Sequence, residues 1–248
     1  MTMKPTFDPN LFLQIGLDSA SLTMMGSIVH TFTEPGSYRG ALHRGPEVRA
    51  NFYITADKTS PVAQATIDLT ALDAAAHPAD GDKGECCCPK TGDGPAGGNR
   101  FTLNPRGYTL FHVSGGVGGY WVSVRKIDAA QTDRGYDSRA LSPGDIFSAT
   151  IIRPGTYSMT NVSTNASGEI VVSYPVIGEK AYRPPNPIRI DCGPQSFEPA
   201  KIALQPGQGM LFQAKVPSHI VIKLLKPDDG PPKPSGITGR RGWKKPEL

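Results

Sequence analysis

Glu34-Pro35-Gly36-Ser37-Tyr38 is answered 119 residues later by Arg153-Pro154-Gly155-Thr156-Tyr157. The match extends upstream, where Leu22-Thr23 stands at the same spacing from the first copy as Leu141-Ser142 from the second. A second phrase recurs at a different interval. Leu103-Asn104-Pro105 and Leu110-Phe111 return 101 residues on as Leu204-Gln205-Pro206 and Leu211-Phe212. Repetition at fixed intervals is the first thing to read in a chain, because one structural unit used twice constrains the whole architecture.

The rest of the composition agrees with a turn-rich β protein. The 248 residues include 28 Gly and 24 Pro, and only 19% are charged. No long amphipathic helical stretch interrupts the short apolar runs, which argues for an all-β class rather than an α/β enzyme. Strands are expected at 27–33, from Tyr38, at 49–55, as two strands around a glycine turn in 101–126, and at 145–152, 157–161, 169–174, 188–192, 201–204, 210–214 and 220–225. Residues 63–76 read as a strand followed by a short helical turn. Residues 78–99 are rich in Gly and Pro and account for most of the 18-residue difference between the two repeat intervals, so they are an insertion in one copy. Tyr182–Pro187 is a proline-rich boundary, since proline cannot donate to a sheet ladder. Beyond Lys226 no apolar periodicity remains, and the segment reads as an extended basic arm.

The order of these phrases resembles that of the cupredoxin-like β-sandwiches, which are Greek-key domains. The early part of that pattern is similar to Phe197-Glu198-Pro199, Leu204, Pro206-Gly207, Met210–Phe212 and Ser218-His219-Ile220-Val221-Ile222. The late part is similar to Pro154-Gly155-Thr156-Tyr157 through Gly168 to Ile170-Val171-Val172. Early and late phrases alternate along the chain, which leads to an expected division. One sandwich would be central (99–175). The other would be an outer sandwich assembled from both ends of the chain (1–75 and 176–226), with an inserted loop at 76–98 and a tail at 227–248. One continuous double-sheet body is the simpler alternative.

The resemblance also raises a metal question. A type 1 copper centre needs two histidines, a thiolate and a weak axial ligand. Asn161 and Leu42 fall where the family would hold cysteine, so a copper centre of that kind is not expected. His219 matches the early histidine, and His43 lies one residue past Leu42, so the outer sandwich would bring two imidazoles near each other as a weak copper or zinc pair; the reading ranked ahead of it is two surface-loop histidines. The triplet Cys86-Cys87-Cys88 and Cys192 are soft-ligand candidates for zinc or copper, although consecutive cysteines do not suit one tetrahedral ion. The alternative for the triplet is small apolar packing.

No catalytic phrase is present. Five histidines (His30, His43, His77, His112 and His219) are scattered, and Gly115–Gly119 lacks the spacing and the following helix of a nucleotide loop. Asn161-Val162-Ser163 and Asn165-Ala166-Ser167 match the glycosylation pattern but read as turn residues. Net charge is +4, with six Lys/Arg against three Asp/Glu in residues 226–248. Arg240, Arg241, Trp243, Lys244 and Lys245 form a partner-docking candidate, with Trp243 as the anchor; nucleic acid ranks behind it. No apolar run reaches a membrane span. Met1–Gln14 has no signal-peptide pattern, and adjacent cysteines suit a reducing compartment, so a cytoplasmic protein is expected. These readings converge on a non-catalytic structural or interaction protein, a subunit whose terminal arms contact neighbours, as a homo-oligomer or with a protein partner. A metal-handling protein and a sandwich enzyme of unknown chemistry are the alternatives.

Overall fold

The doubled phrase folds the same way twice, for a reason visible in its residues. Gly36 and Gly155 adopt φ of 145° and 149°, a region costly for any residue with a Cβ. Each opens a strand whose tyrosine turns back on the preceding corner. The Tyr38 hydroxyl donates to the Glu34 carbonyl and the Tyr157 hydroxyl to the Arg153 carbonyl, each at 2.7 Å. Proline sets the corner, glycine permits it and tyrosine locks it, as in the tyrosine corners of other sandwiches.

The computed structural model describes residues 15–77, 99–127, 135–175, 182–228 and 230. Its strands are β1 (Gly16–Asp18), β2 (Gly26–His30), β3 (Gly36–Arg44), β4 (Glu47–Ala56), β5 (Gln64–Asp68), β6 (Arg100–Leu103), β7 (Tyr108–His112), β8 (Tyr120–Lys126) and β9 (Tyr136–Asp137) in the first half. The second half contributes β10 (Ile146–Thr150), β11 (Gly155–Asn161), β12 (Ala166–Val172), β13 (Ile188–Cys192), β14 (Phe197–Glu198), β15 (Lys201–Leu204), β16 (Gly209–Ala214) and β17 (Ile220–Pro227). Among the described residues one helix, α1 (Leu69–Ala76), follows β5 and is capped by the Asp68 carboxylate. The expected strand-then-helical-turn at 63–76 is therefore β5 and α1. The region 101–126, expected as two strands, contains three, because Asn104-Pro105 breaks the first run.

The strands form three sheets, ordered β6-β4-β3-β8-β9, β14-β13-β16-β10-β2-β7-β5 and β1-β17-β11-β12-β15. The class is all-β, and the seven-stranded sheet runs through both halves with one five-stranded sheet per half. Alternating residues of each strand face inward. Phe52 on β4 lies 6.2 Å from Phe111 on β7, joining an outer sheet to the shared one, and the buried apolar residues form one continuous cluster.

The ladders correct the expected division of the chain. Residues 22–56 do not close with 188–226. β2 pairs with β7, β3 with β8 and β4 with β6, while β10 pairs with β16, β11 with β17 and β12 with β15. Each half thus closes mainly with the strands that follow it, because short connections bring sequential elements together. The central block 99–175 is not a sandwich of its own. Its first strands belong to the first half and its last to the second.

The exceptions to local closure are reciprocal. β1, at the start of the chain, pairs with β17 of the second half, and β9, just before the second half, pairs with β8 of the first. Each half borrows its neighbour's leading strand. The seal is the same in both. Ser19 donates its N–H to the Ile220 carbonyl and its hydroxyl accepts the Ile220 N–H; Ser138 does both to Val122. Both serines are fully buried. Where the halves meet, β2 and β10 run antiparallel and Ile28 opposes Phe147, its own counterpart 119 residues away. A pseudo-twofold axis passes through that pair.

Candidate functional site

Pseudo-equivalent positions differ in two clefts, one per half, beside the borrowed strands. In the second half the cleft is almost closed, about 10 Å³, with Leu17, Ile151, Ile152 and Ile222 on its walls. Its counterpart in the first half is open, about 280 Å³, and polar. Tyr136 stands where the second half has Leu17, Thr33 where it has Ile152, and Val124 where it has Ile222. Behind them, His30 replaces Ala149 and Asp145 replaces Gly26.

His30 ends β2 and Asp145 immediately precedes β10, so the antiparallel register of these central strands brings the two together. The His30 Nδ1 lies 2.7 Å from Asp145 Oδ1, and the other carboxylate oxygen accepts the Ser142 N–H at 2.7 Å. A carboxylate on Nδ1 orients the ring and leaves Nε2 as its second polar atom. Tyr136 stacks on the imidazole at 3.8 Å, and Phe32 meets it edge-on at 4.7 Å. The Tyr136 hydroxyl is buried and has no hydrogen-bond partner among the described residues. Burial, reinforced by the charges of Asp145 and Asp137, pushes this phenol well above its ordinary range, so it stays protonated. At the rim, Lys126 pairs with Glu34 at 2.9 Å.

A second cluster lies on the outer face of the first-half sheet. His43 on β3 and Arg139 after β9 flank Trp121 on β8. The imidazole stacks on the indole at 3.7 Å, and the guanidinium lies 3.8 Å from the ring centroid. Asp137 grips Arg139, and His43 Nε2 meets the Ser123 hydroxyl at 2.9 Å. Burial and then the nearby Arg139 hold the His43 imidazole below its ordinary value, against the opposing pull of Asp137. In the other half His219 takes the position of Trp121 and binds Asp18 at 2.7 Å.

The expected His43/His219 pair is corrected by this arrangement. The two imidazoles sit on different outer sheets with separate partners, because 22–56 does not close with 188–226. Cys192 is buried in β13, and burial followed by Asp191 pushes its thiol up to about 12, which opposes the thiolate that metal ligation needs. Cys86, Cys87 and Cys88 lie outside the described residues, as do Arg240, Arg241, Trp243, Lys244 and Lys245. Among the described residues no group of three or more His, Cys, Asp or Glu side chains is placed to hold a metal ion. Asn161, which the sequence resemblance aligned with a cysteine, is fully buried; its amide donates to the Ser218 hydroxyl and accepts the His219 and Ser163 N–H groups, a framework role. His112, expected at the core edge, is half-buried at the end of β7.

Sequence reasoning passed over His30, Asp145 and Tyr136. The signal was available in the repeat. Asp18-Ser19-Ala20-Ser21-Leu22 and Asp137-Ser138-Arg139-Ala140-Leu141 extend it upstream, and aligning the copies from there exposes the positions where one copy is polar and the other apolar.

A third feature concerns the chain ends. Because β1 is antiparallel to β17, the start of one lies beside the end of the other, and Leu224 N–H donates to the Ile15 carbonyl. Ile15 and Leu225 are both exposed there, at 67% and 64%. No protein-family model, curated protein or solved structure matches this chain.

Proposed function

We propose that this chain is a non-catalytic structural or interaction protein, a subunit of a larger protein assembly. We read its body as a duplicated, cupredoxin-like Greek-key framework without a type 1 copper centre. The supporting observation is that β1 begins and β17 ends at the same end of one outer sheet, where Ile15 and Leu225 are both exposed. Sequence flanking both strands can engage a single neighbour together, which raises its effective concentration there. The tail carries Trp243 among Arg240, Arg241, Lys244 and Lys245, the residue types that dominate interface energetics.

Native mass spectrometry of the full chain tests this. The expected result is an oligomer well above the 26.4 kDa chain mass that shrinks on deletion of residues 231–248, and on Ile15→Ser with Leu225→Ser. Deleting 231–248 leaves every described strand intact. A monomer at micromolar concentration, unchanged by these alterations, overturns the reading. The same spectra report bound zinc or copper, the outcome that would instead support metal handling.

A further inference from the structure

We propose that the polar cleft beside His30 is a binding site for a small, uncharged, hydroxyl-rich ligand of about monosaccharide size. Its near-twin in the other half serves as an internal control. The two clefts share backbone framework, yet one is packed shut by Leu17, Ile151 and Ile152 while the other is held open by residues that interrupt that packing. An open polar cleft sacrifices the apolar burial its twin retains, so the framework alone does not require it.

The chemistry of the walls selects the ligand. Among the described residues Lys126 is matched by Glu34, and the Asp145 carboxylate is taken up by the His30 Nδ1 and the Ser142 N–H, so neither an anion nor a cation finds an unpaired counter-charge. What remains uncommitted is neutral hydrogen-bonding capacity. The hydroxyls of Thr31, Thr33 and Ser142 make no side-chain hydrogen bond among the described residues, and neither does the His30 Nε2. Three hydroxyls that can donate or accept, beside one imidazole nitrogen, complement a molecule that is itself built of hydroxyls. The 280 Å³ volume lies just under the roughly 300–1,000 Å³ of pockets that enclose drug-sized molecules. The Tyr136 face turned to His30 is already stacked, so hydrogen bonds, not ring stacking, fix the ligand's orientation.

Saturation-transfer NMR with the full chain tests the site. The probes are glucose, galactose, mannose, ribose and inositol, with acetate, phosphate and methylammonium as charged comparators. The twin cleft supplies the variants, since its residues already fit this framework: Thr33→Ile from Ile152, His30→Ala from Ala149 and Tyr136→Leu from Leu17. The expected result is saturable binding of at least one neutral probe, weakened about tenfold or more by His30→Ala and abolished by Thr33→Ile, which fills the cleft without touching the His30–Asp145 pair. Three results overturn the proposal: no neutral probe binding at millimolar concentration, a charged comparator binding more tightly, or binding that survives Thr33→Ile in a folded protein.

Discussion

The pair Gly40 and Phe52 shows how far a single contact can dictate residue choice. They oppose each other on β3 and β4, and a Cβ on Gly40 would overlap the Phe52 ring. At the matching place in the second half, Met159 opposes Gly168, and a Cβ on Gly168 would overlap the methionine. The large residue has changed strands while the summed volume of the pair stays similar, as dense interiors require. Gly40→Met alone should therefore destabilise strongly, and Phe52→Gly alone should cost about 3–5 kcal/mol by leaving a cavity. The double variant, which copies the second half, should recover most of the loss. Chemical denaturation of the four proteins checks this as a double-mutant cycle, and additive losses would show that the two sites do not compensate.

Helix α1 is the clearest case at the scale of an element, because one acidic side chain fastens it. Asp73 accepts Arg49 Nε at 2.8 Å and the Tyr120 hydroxyl at 2.7 Å, and His77 lies within ion-pair reach. Burial by itself pushes the Asp73 carboxyl up, but the hydrogen bonds from Tyr120 and Arg49 and the charges of Arg49 and His77 outweigh it and hold it below its ordinary value of 3.8. A depressed carboxyl contributes its stability above the ordinary value and loses it as pH falls through the folded one. Burial, then the Asp73 hydrogen bond, raises Tyr120 from 10.0 to about 12, so its contribution is complete below pH 10 and is lost as pH rises toward 12. Asp73→Asn should lower stability near pH 7 by about 2 kcal/mol and flatten the acid limb of a stability-against-pH curve. Tyr120→Phe should flatten the alkaline limb. An acid limb unchanged in Asp73→Asn would mean that α1 is held by apolar packing alone.

Reciprocal strand borrowing makes the whole molecule more than two halves in series. β1 is first in sequence, yet it completes the second half, and its partners are specific: Ile220 N–H to the Ser19 hydroxyl and Leu224 N–H to the Ile15 carbonyl. Deleting residues 1–19 should accelerate hydrogen exchange at the Ile220 and Leu224 amides and leave Val122 protected. Ser138→Ala should do the converse, exposing Val122, whose N–H bonds the Ser138 hydroxyl. Protection lost from β3 and β8 after the N-terminal deletion would contradict the exchange. Much of this architecture was legible beforehand. The strands at 188–192 and 201–204 match β13 and β15 residue for residue, and the repeat located both corners, because turn chemistry and period-two alternation are local properties of the chain. The candidate site was not legible. His30 and Asp145 are separated by 115 positions and meet through a β2–β10 register that no local pattern encodes. The sequence by itself therefore determined the all-β class and the repeated Pro-Gly-Ser/Thr-Tyr corner, each set by short-range sterics and hydrogen bonding; the inserted loop it reads at 76–98 lies almost wholly outside the described residues. Only the tertiary structure decided which strands close which half, that the leading strands are exchanged, and that one of two matching clefts is open and polar. Those outcomes depend on pairing distant strands, where many alignments satisfy the same alternation and three-dimensional packing selects among them.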